Sequence, residues 1–222
     1  MIKHHLTDAL LMAYSAGSPP EAFSLILAAH VSMCDECRAR LAAFDTVGGA
    51  LIDTGEAAEM EQGSLAATLT RIKARGSDDT GPDAPRRSVS QQSARPFVLP
   101  APVRDYVGGD VDAVRWRPVG GGVRQAILPT SRAASARLLY IPGGVAVPDH
   151  GHRGTELTLV LQGAFSDESD RFARGDVEVA DENVQHTPVA EKGEDCICLA
   201  ATDAPLRFRG LIPRIAQPFL RI

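Results

Sequence analysis

The stretch Gly144-Val-Ala-Val-Pro-Asp-His150-Gly-His152-Arg-Gly-Thr-Glu156-Leu-Thr-Leu-Val-Leu-Gln-Gly163 decides how the C-terminal half folds. His150 and His152 stand two residues apart, so on a strand or at its end both imidazoles project to the same side. The turn signalled by Arg153-Gly154 brings the carboxylate of Glu156 back to join them. An apolar run then follows, Leu157 to Leu161, short enough to be a buried strand and bounded by a glycine.

Similar segments lie on both sides. Ala126-Ile127-Leu128, Arg137 to Ile141, Asp176 to Ala180 and Cys196 to Ala200 are rich in β-branched and apolar residues and are separated by Gly, Pro and Asp turns. Regular short strands of this kind predict an all-β sandwich or barrel over residues 97–222. Residues 76–96 hold three Pro, four Ser and two Gly with almost no large apolar side chain. Burial cannot offset the ordering entropy of such a segment, which reads as a flexible linker.

Upstream of the linker the pattern is helical, and residues 1–75 are read as a separate domain of four short helices. Thr7 caps a first helix through Tyr14 that stops at Gly17. Ser18-Pro19-Pro20-Glu21 has the form of a capping box with proline at the first helical position, opening a second helix that runs to about Met33. Phe23, Leu27, His30 and Cys34 fall along one face of it. A third helix starts near Asp35 and ends at Gly48-Gly49. Ser64 caps a fourth, on which Leu65, Leu69 and Ile72 form a stripe. So small a helical core is marginal, and domains of this size often depend on a metal.

The chain has 222 residues, 44% apolar and 23% charged, with a net charge of −5. That balance disfavours disorder, and the acidic excess removes the basic footprint a nucleic-acid binder needs. Residues 1–75 are themselves acidic, with six basic against nine acidic side chains, so a direct DNA-binding role for them fails on charge. No apolar run approaches the roughly 20 residues of a membrane helix, and the N-terminus lacks a signal-peptide core, so a cytoplasmic location is expected. The four cysteines, two in Cys34-x2-Cys37 and two in Cys196-x-Cys198, do not resemble a secreted disulfide framework.

All six histidines fall in three groups: His4 and His5, His30, and His150, His152 and His186. His30 and Cys34 face each other across one helical turn, and Cys37 lies in the first turn of the next helix. A helix N-terminus favours thiolate, the form that binds zinc, so three donors converge and His5, or else His4, completes a closed Cys2His2 shell. The alternative is a pair of core or redox thiols beside a core histidine, but the Cys-x2-Cys redox motif belongs with a βαβ context absent here.

His5 followed by His30-x3-Cys34-x2-Cys37 in a small helical domain resembles the zinc-binding domain of ChrR-type anti-sigma factors, bacterial regulators that hold extracytoplasmic-function sigma factors and carry a cupin after that domain. The segment Gly120 to Thr130 shares in the resemblance. The interval Gly144 to Gly163 resembles the first cupin motif at every fixed position, which implies a jelly-roll barrel. The second cupin motif places a histidine eleven residues beyond a glycine, and Gly175 to His186 has that interval, although its fixed Pro, second Gly and Asn are replaced by Asp181, Asn183 and Ala190. His150, His152, Glu156 and His186 are then the barrel's metal ligands. Three imidazoles and a carboxylate suit zinc, iron, nickel or manganese, with zinc the first choice.

The resemblance implies a zinc-dependent protein that binds one sigma factor, one to one, through the Leu65, Leu69 and Ile72 stripe. It further implies release in response to singlet oxygen or an organic hydroperoxide sensed through the barrel. The competing reading is a cupin metalloenzyme, a dioxygenase or isomerase, with a regulatory helical domain; a dedicated Cys-containing metal site on a linker is superfluous to such catalysis. Cys196 and Cys198 project to one face of a strand with their Cα atoms roughly 6.8 Å apart, at the edge of disulfide reach. They read as buried thiols, with a redox role as the minority alternative. Trp116 reads as an anchor in the β region.

Overall fold

The computed structural model describes residues 1–78 and 96–208; of the linker expected over 76–96, residues 79–95 lie outside that range, as do residues 209–222. Four helices come first, α1 (Asp8–Ser15), α2 (Glu21–Met33), α3 (Asp35–Asp53) and α4 (Ser64–Asp78), and a fifth, α5 (Ala101–Val107), precedes the strands. The strands are β1 (Arg117–Gly120), β2 (Val123–Leu128), β3 (Ser135–Ile141), β4 (His150–Gly151), β5 (Glu156–Gln162), β6 (Ala164–Ser166), β7 (Arg171–Ala173), β8 (Val177–Ala180), β9 (Gln185–His186), β10 (Val189–Ala190), β11 (Cys196–Thr202) and β12 (Arg207–Phe208). A six-stranded antiparallel sheet in the order β1-β2-β3-β11-β5-β8 is completed by the three-stranded sheets β10-β6-β7 and β12-β4-β9. This is a helical N-terminal region followed by a β cupin.

Strands β5 and β11 are buried on both faces along almost their whole length. On one face Leu157, Leu159, Leu161, Ile197 and Leu199 join Leu138 from β3 and pack with Phe23, Ile26 and Leu27 of α2, Leu11 of α1 and Val103 of α5. On the other face Val160, Cys196 and Cys198 join Ile141, Phe165 and Phe172 inside the barrel. Burial on both faces explains why residues 157–161 read as a continuous apolar run and not as an alternation. Residues 1–49 accordingly fall into one compact unit with the described residues from 97 onward, and the described residues between 50 and 96 fall into a second.

The second unit holds the end of α3, the acidic connector and α4. Within it Leu65, Leu69 and Ile72 are 69%, 45% and 61% exposed, and Leu51, Ile52 and Met60 are exposed as well.

Several local expectations meet a different outcome. Thr7 does cap α1, its hydroxyl accepting from the Leu10 N–H at 3.3 Å. The expected capping box at α2 does not form: Pro20 is the N-cap and makes no side-chain cap bond. The Glu21 carboxylate instead accepts from the Tyr106 hydroxyl at 2.7 Å and the Ser131 N–H at 2.6 Å, so a tertiary contact outcompetes the local one. Helix α3 runs through Gly48 and Gly49 to Asp53, neither glycine taking a left-handed conformation. Asp181 accounts for itself as the residue that closes the turn before β9, accepting from the Asn183 N–H at 2.8 Å through its carboxylate and from the Val184 N–H through its carbonyl. At Gly163 the backbone φ is +67° and a Cβ would stand 2.8 Å from the Asp195 carbonyl, so the motif's last position admits no side chain.

Leu27 is fully buried in the layer between α2 and the sheet. Leu27→Ala is expected to lower the unfolding free energy of the full chain by about 2–5 kcal/mol in denaturant titration, since the cavity lies between elements that cannot both close onto it.

Candidate functional site

Among the described residues three groups of donors could hold a metal, the third, Asp167, Glu178 and His186, sharing His186 with the second. In the first, the ligand atoms of His5, His30, Cys34 and Cys37 all lie within 4.8 Å of one another. Helix α2 carries His30 in its last turn and Cys34 at its C-cap, the short break before α3 turns the chain, and Cys37 returns in the first turn of α3. The His5 Nδ1 stands 3.3 Å from the Cys34 Sγ and 3.7 Å from the Cys37 Sγ. Tetrahedral zinc with ordinary bond lengths places nitrogen and sulfur donors about 3.6 Å apart. The His5 Nε2 lies 3.4 Å from the Glu36 carboxylate, and the His30 Nδ1 donates to the Gly175 carbonyl at 2.8 Å. Both outer partners fix which ring nitrogen turns inward. The consequence for His30 is that its Nε2 is buried with no hydrogen-bond partner. An orphaned imidazole nitrogen aimed at two thiols is what a bound cation would satisfy.

His4 is not part of this group. Its ring packs on Phe172 and its Nε2 lies 3.5 Å from Asp170. The Cys34 Sγ accepts from the Cys37 N–H at 3.4 Å, as expected at a helix start. Burial nevertheless pushes the Cys37 thiol above its usual range, against hydrogen bonding from Leu6 and the Arg40 charge. The helix terminus alone therefore does not hold Cys37 as thiolate; a metal ion would.

In the second group His150, His152, Glu156 and His186 are all buried, again with ligand atoms within 4.8 Å. They come from β4, the turn after it, the start of β5 and β9, and His150 and His186 are direct cross-strand partners. The His186 Nε2 is 3.2 Å from that of His150 and 3.3 Å from that of His152. Imidazoles on a tetrahedral zinc ion bring their nitrogens to about 3.3 Å. The His150 Nδ1 donates to the Pro148 carbonyl at 2.9 Å, and the His186 Nδ1 lies 2.9 Å from both Asp167 and Glu178. Both rings thus turn their Nε2 atoms toward each other, close enough to share a proton or to hold one cation between them.

The electrostatics agree. Burial lowers His150 and His152 to about 4, reinforced by the charge of His186. Burial and the nearby Glu178 raise Glu156 to about 7. For His186 burial acts downward, yet Glu178 and Asp167 reverse it and lift the ring to about 9. Burial likewise pushes Glu178 up, while Asp167, despite burial, is held well below the carboxylate range by hydrogen bonds from Glu178, Ser169 and His186. Buried Arg137 adds a positive charge near Glu156.

Asp167 and Glu178 were not among the residues singled out from sequence, and Gly175 was marked only as the glycine of the second motif, not for the carbonyl that meets His30. The one available signal was Glu178, a charged side chain in the middle of β8 that is buried while its neighbour Val179 is exposed. Inside the barrel the Cys196 and Cys198 sulfurs are 3.4 Å apart, and the hydrogen bond to Cys196 together with burial pushes the Cys198 thiol well up. Trp116 is half-buried and packs edge-on against Tyr140.

Residues 105–205 match the family described as the ChrR Cupin-like domain. Over 221 residues, which take in 100% of this chain and 99% of the relative, the sequence is 57% identical to the anti-sigma-E factor ChrR of Cereibacter sphaeroides. The crystal structure of Rhodobacter sphaeroides SigE in complex with the anti-sigma ChrR is similar with a TM-score of 0.78 and 56% identity over 91% of this chain and 100% of that chain. An RmlC-like cupin from Ralstonia eutropha JMP134 follows at 23% identity and a TM-score of 0.40, over 46% of this chain and 71% of that one.

The two donor sets predict that metal can be lost from one without the other. His186→Ala is expected to remove the barrel's metal while the group with Cys34 and Cys37 stays loaded, read by elemental analysis of the purified chain with thiol accessibility measured alongside.

Proposed function

The chain belongs to the ChrR family of anti-sigma factors, and from that premise we propose that it sequesters an extracytoplasmic-function sigma factor in the cytoplasm, one to one, as a regulator and not as a catalyst. The observation that carries this reading is the likeness to an anti-sigma factor along the whole chain, in both the helical and the barrel regions. Among the described helices none is long and apolar enough to cross a membrane.

In this reading residues 1–75 hold the sigma factor, residues 76–96 link, and residues 97–222 sense. Leu65, Leu69 and Ile72 of α4 supply the anchors, and their exposure supports the assignment, since an apolar stripe at helical spacing that its own unit leaves uncovered fits a helix-in-groove contact. Zinc is bound by His5, His30, Cys34 and Cys37, and loses its protein ligands only with the shape of the α2–α3 junction. Structural zinc in zinc-finger peptides contributes about 10–16 kcal/mol to folding, so the ion sets whether the sigma-binding helices exist in the right arrangement. A second divalent ion, zinc, is bound by His150, His152, Glu156 and His186, and an oxidant, singlet oxygen or an organic hydroperoxide, ends the sequestration through the barrel. Cys196 and Cys198 lie next to that site and are the thiols such an oxidant would meet there.

Copurification of the full chain with its candidate sigma factors tests the reading. A stable equimolar complex is expected. Leu65→Asp, Leu69→Asp and Ile72→Asp are each expected to weaken it by about 30-fold, the effect of losing an anchor worth about 2 kcal/mol. His30→Ala and Cys34→Ala are expected to abolish it together with one zinc per chain. Wild-type affinity in the zinc-free variants would overturn the zinc dependence, and the absence of any sigma complex would overturn the function.

A further inference from the structure

Four consecutive residues of the barrel reach into both donor groups. The Gly175 carbonyl accepts from the His30 Nδ1 at 2.8 Å. The Asp176 carboxylate accepts from the Lys3 N–H at 2.6 Å and the His4 N–H at 3.0 Å, and its second oxygen accepts from the Ala173 N–H at 2.9 Å. The Val177 N–H donates to the His4 carbonyl at 3.1 Å. Glu178 then meets the His186 Nδ1 at 2.9 Å.

His5 directly follows the segment that Asp176 grips. A ring whose Nδ1 must meet two thiols has only its own side-chain torsions between it and that backbone. His30, which comes from a different element, takes its ring orientation from the neighbouring residue of the same turn. Asp176 is 2% exposed, so its carboxylate bonds are shielded from competing water. Gly175 has a φ of +93°, and a Cβ there would stand 2.6 Å from the Ile2 side chain. The turn is shaped to let residues 2–4 approach this closely.

We propose that Asp176 is a positioning residue of the helical metal centre: through the Lys3 and His4 amides it sets His5, beside the Gly175 carbonyl that sets His30, so that the barrel completes the outer shell of a metal site whose four ligands all lie outside it. This rests on the reading that His5, His30, Cys34 and Cys37 bind a metal. Outer-shell partners of metal ligands typically change affinity by about 10- to 100-fold when removed.

Cobalt(II) titration of the full chain tests it, with a chelator in competition. Thiolate-to-cobalt charge-transfer bands report the centre with Cys34 and Cys37 alone, because the barrel group has only nitrogen and oxygen donors. Asp176→Ala is expected to weaken cobalt binding at the thiolate centre by about 10- to 100-fold and to shift its ligand-field bands. Asp176→Asn, which keeps one carbonyl oxygen for the Lys3 and His4 amides, is expected to restore part of the affinity. Asp170→Ala, which touches the His4 ring but not the backbone before His5, is expected to bind as the wild type does. Circular dichroism confirms folding, and if Asp176→Ala fails to fold, the Asn variant decides. Equal affinity and identical bands in wild type and the folded Asp176 variants would overturn the proposal while leaving the metal reading intact. A wild-type chain with no thiolate bands would overturn the metal reading and this proposal with it.

Discussion

Strands β5 and β11 carry large apolar side chains on both faces, and a barrel can bury only one of them. The outer face, with Leu157, Leu159, Leu161, Ile197 and Leu199, has to be covered from elsewhere in the chain. Helix α2 does so, with Phe23, Ile26 and Leu27, and the remaining geometry follows from its seat. Packing on the sheet fixes the rotation of α2, and the rotation of α2 fixes where His30 and Cys34 point. The dependence also runs the other way. Two-sided burial commits the even-numbered positions of β5 to the barrel interior, which is how Glu156 comes to lie beside His150, His152 and His186.

That interior is electrically demanding. A buried carboxylate at Glu156, a second at Glu178, the guanidinium of Arg137 and three imidazoles share one end of a small barrel. Isolated burial of any of these charges costs several kcal/mol, and pairing recovers the cost only when every donor and acceptor is used. Hydrogen bonds use the outer nitrogens of His150 and His186 and set the inner ones face to face at 3.2 Å. A divalent ion bound there would take the inner nitrogens as ligands in place of the proton on His186, and it would also allow Glu156 to ionise where burial alone would hold it protonated.

Much of this was legible in the sequence because the informative residues are rare types at short spacing. His150, His152 and Glu156 fall within seven residues of one another, and His30, Cys34 and Cys37 within eight. Helical and strand patterning located α1, α2, α4 and strands β2, β3, β5, β8 and β11. The features that escaped are those fixed by distant parts of the chain. Glu21 leaves its expected cap because Tyr106 and Ser131 are better partners, and Gly48-Gly49 fails to end α3 because two glycines lower helix propensity without forbidding helix. Asp167 and Glu178 act on His186 across the fold, and the Gly175 carbonyl carries no side-chain signature at all. The short strands β4, β9, β10 and β12 are two residues each, below the length at which periodicity exists.

The sulfurs of Cys196 and Cys198 sit 3.4 Å apart on a strand with no exposed residue. A thiol reagent in solution cannot reach them in the closed barrel, so the rate at which they are alkylated becomes a clock for how often β11 swings free. When reclosing outpaces labelling, that rate reports the free energy of opening directly, as amide exchange does for backbone. The barrel therefore carries its own strain gauge at its most protected strand: any event that loosens the helices on one face or the histidine cluster on the other is written into the lifetime of two sulfhydryls between them.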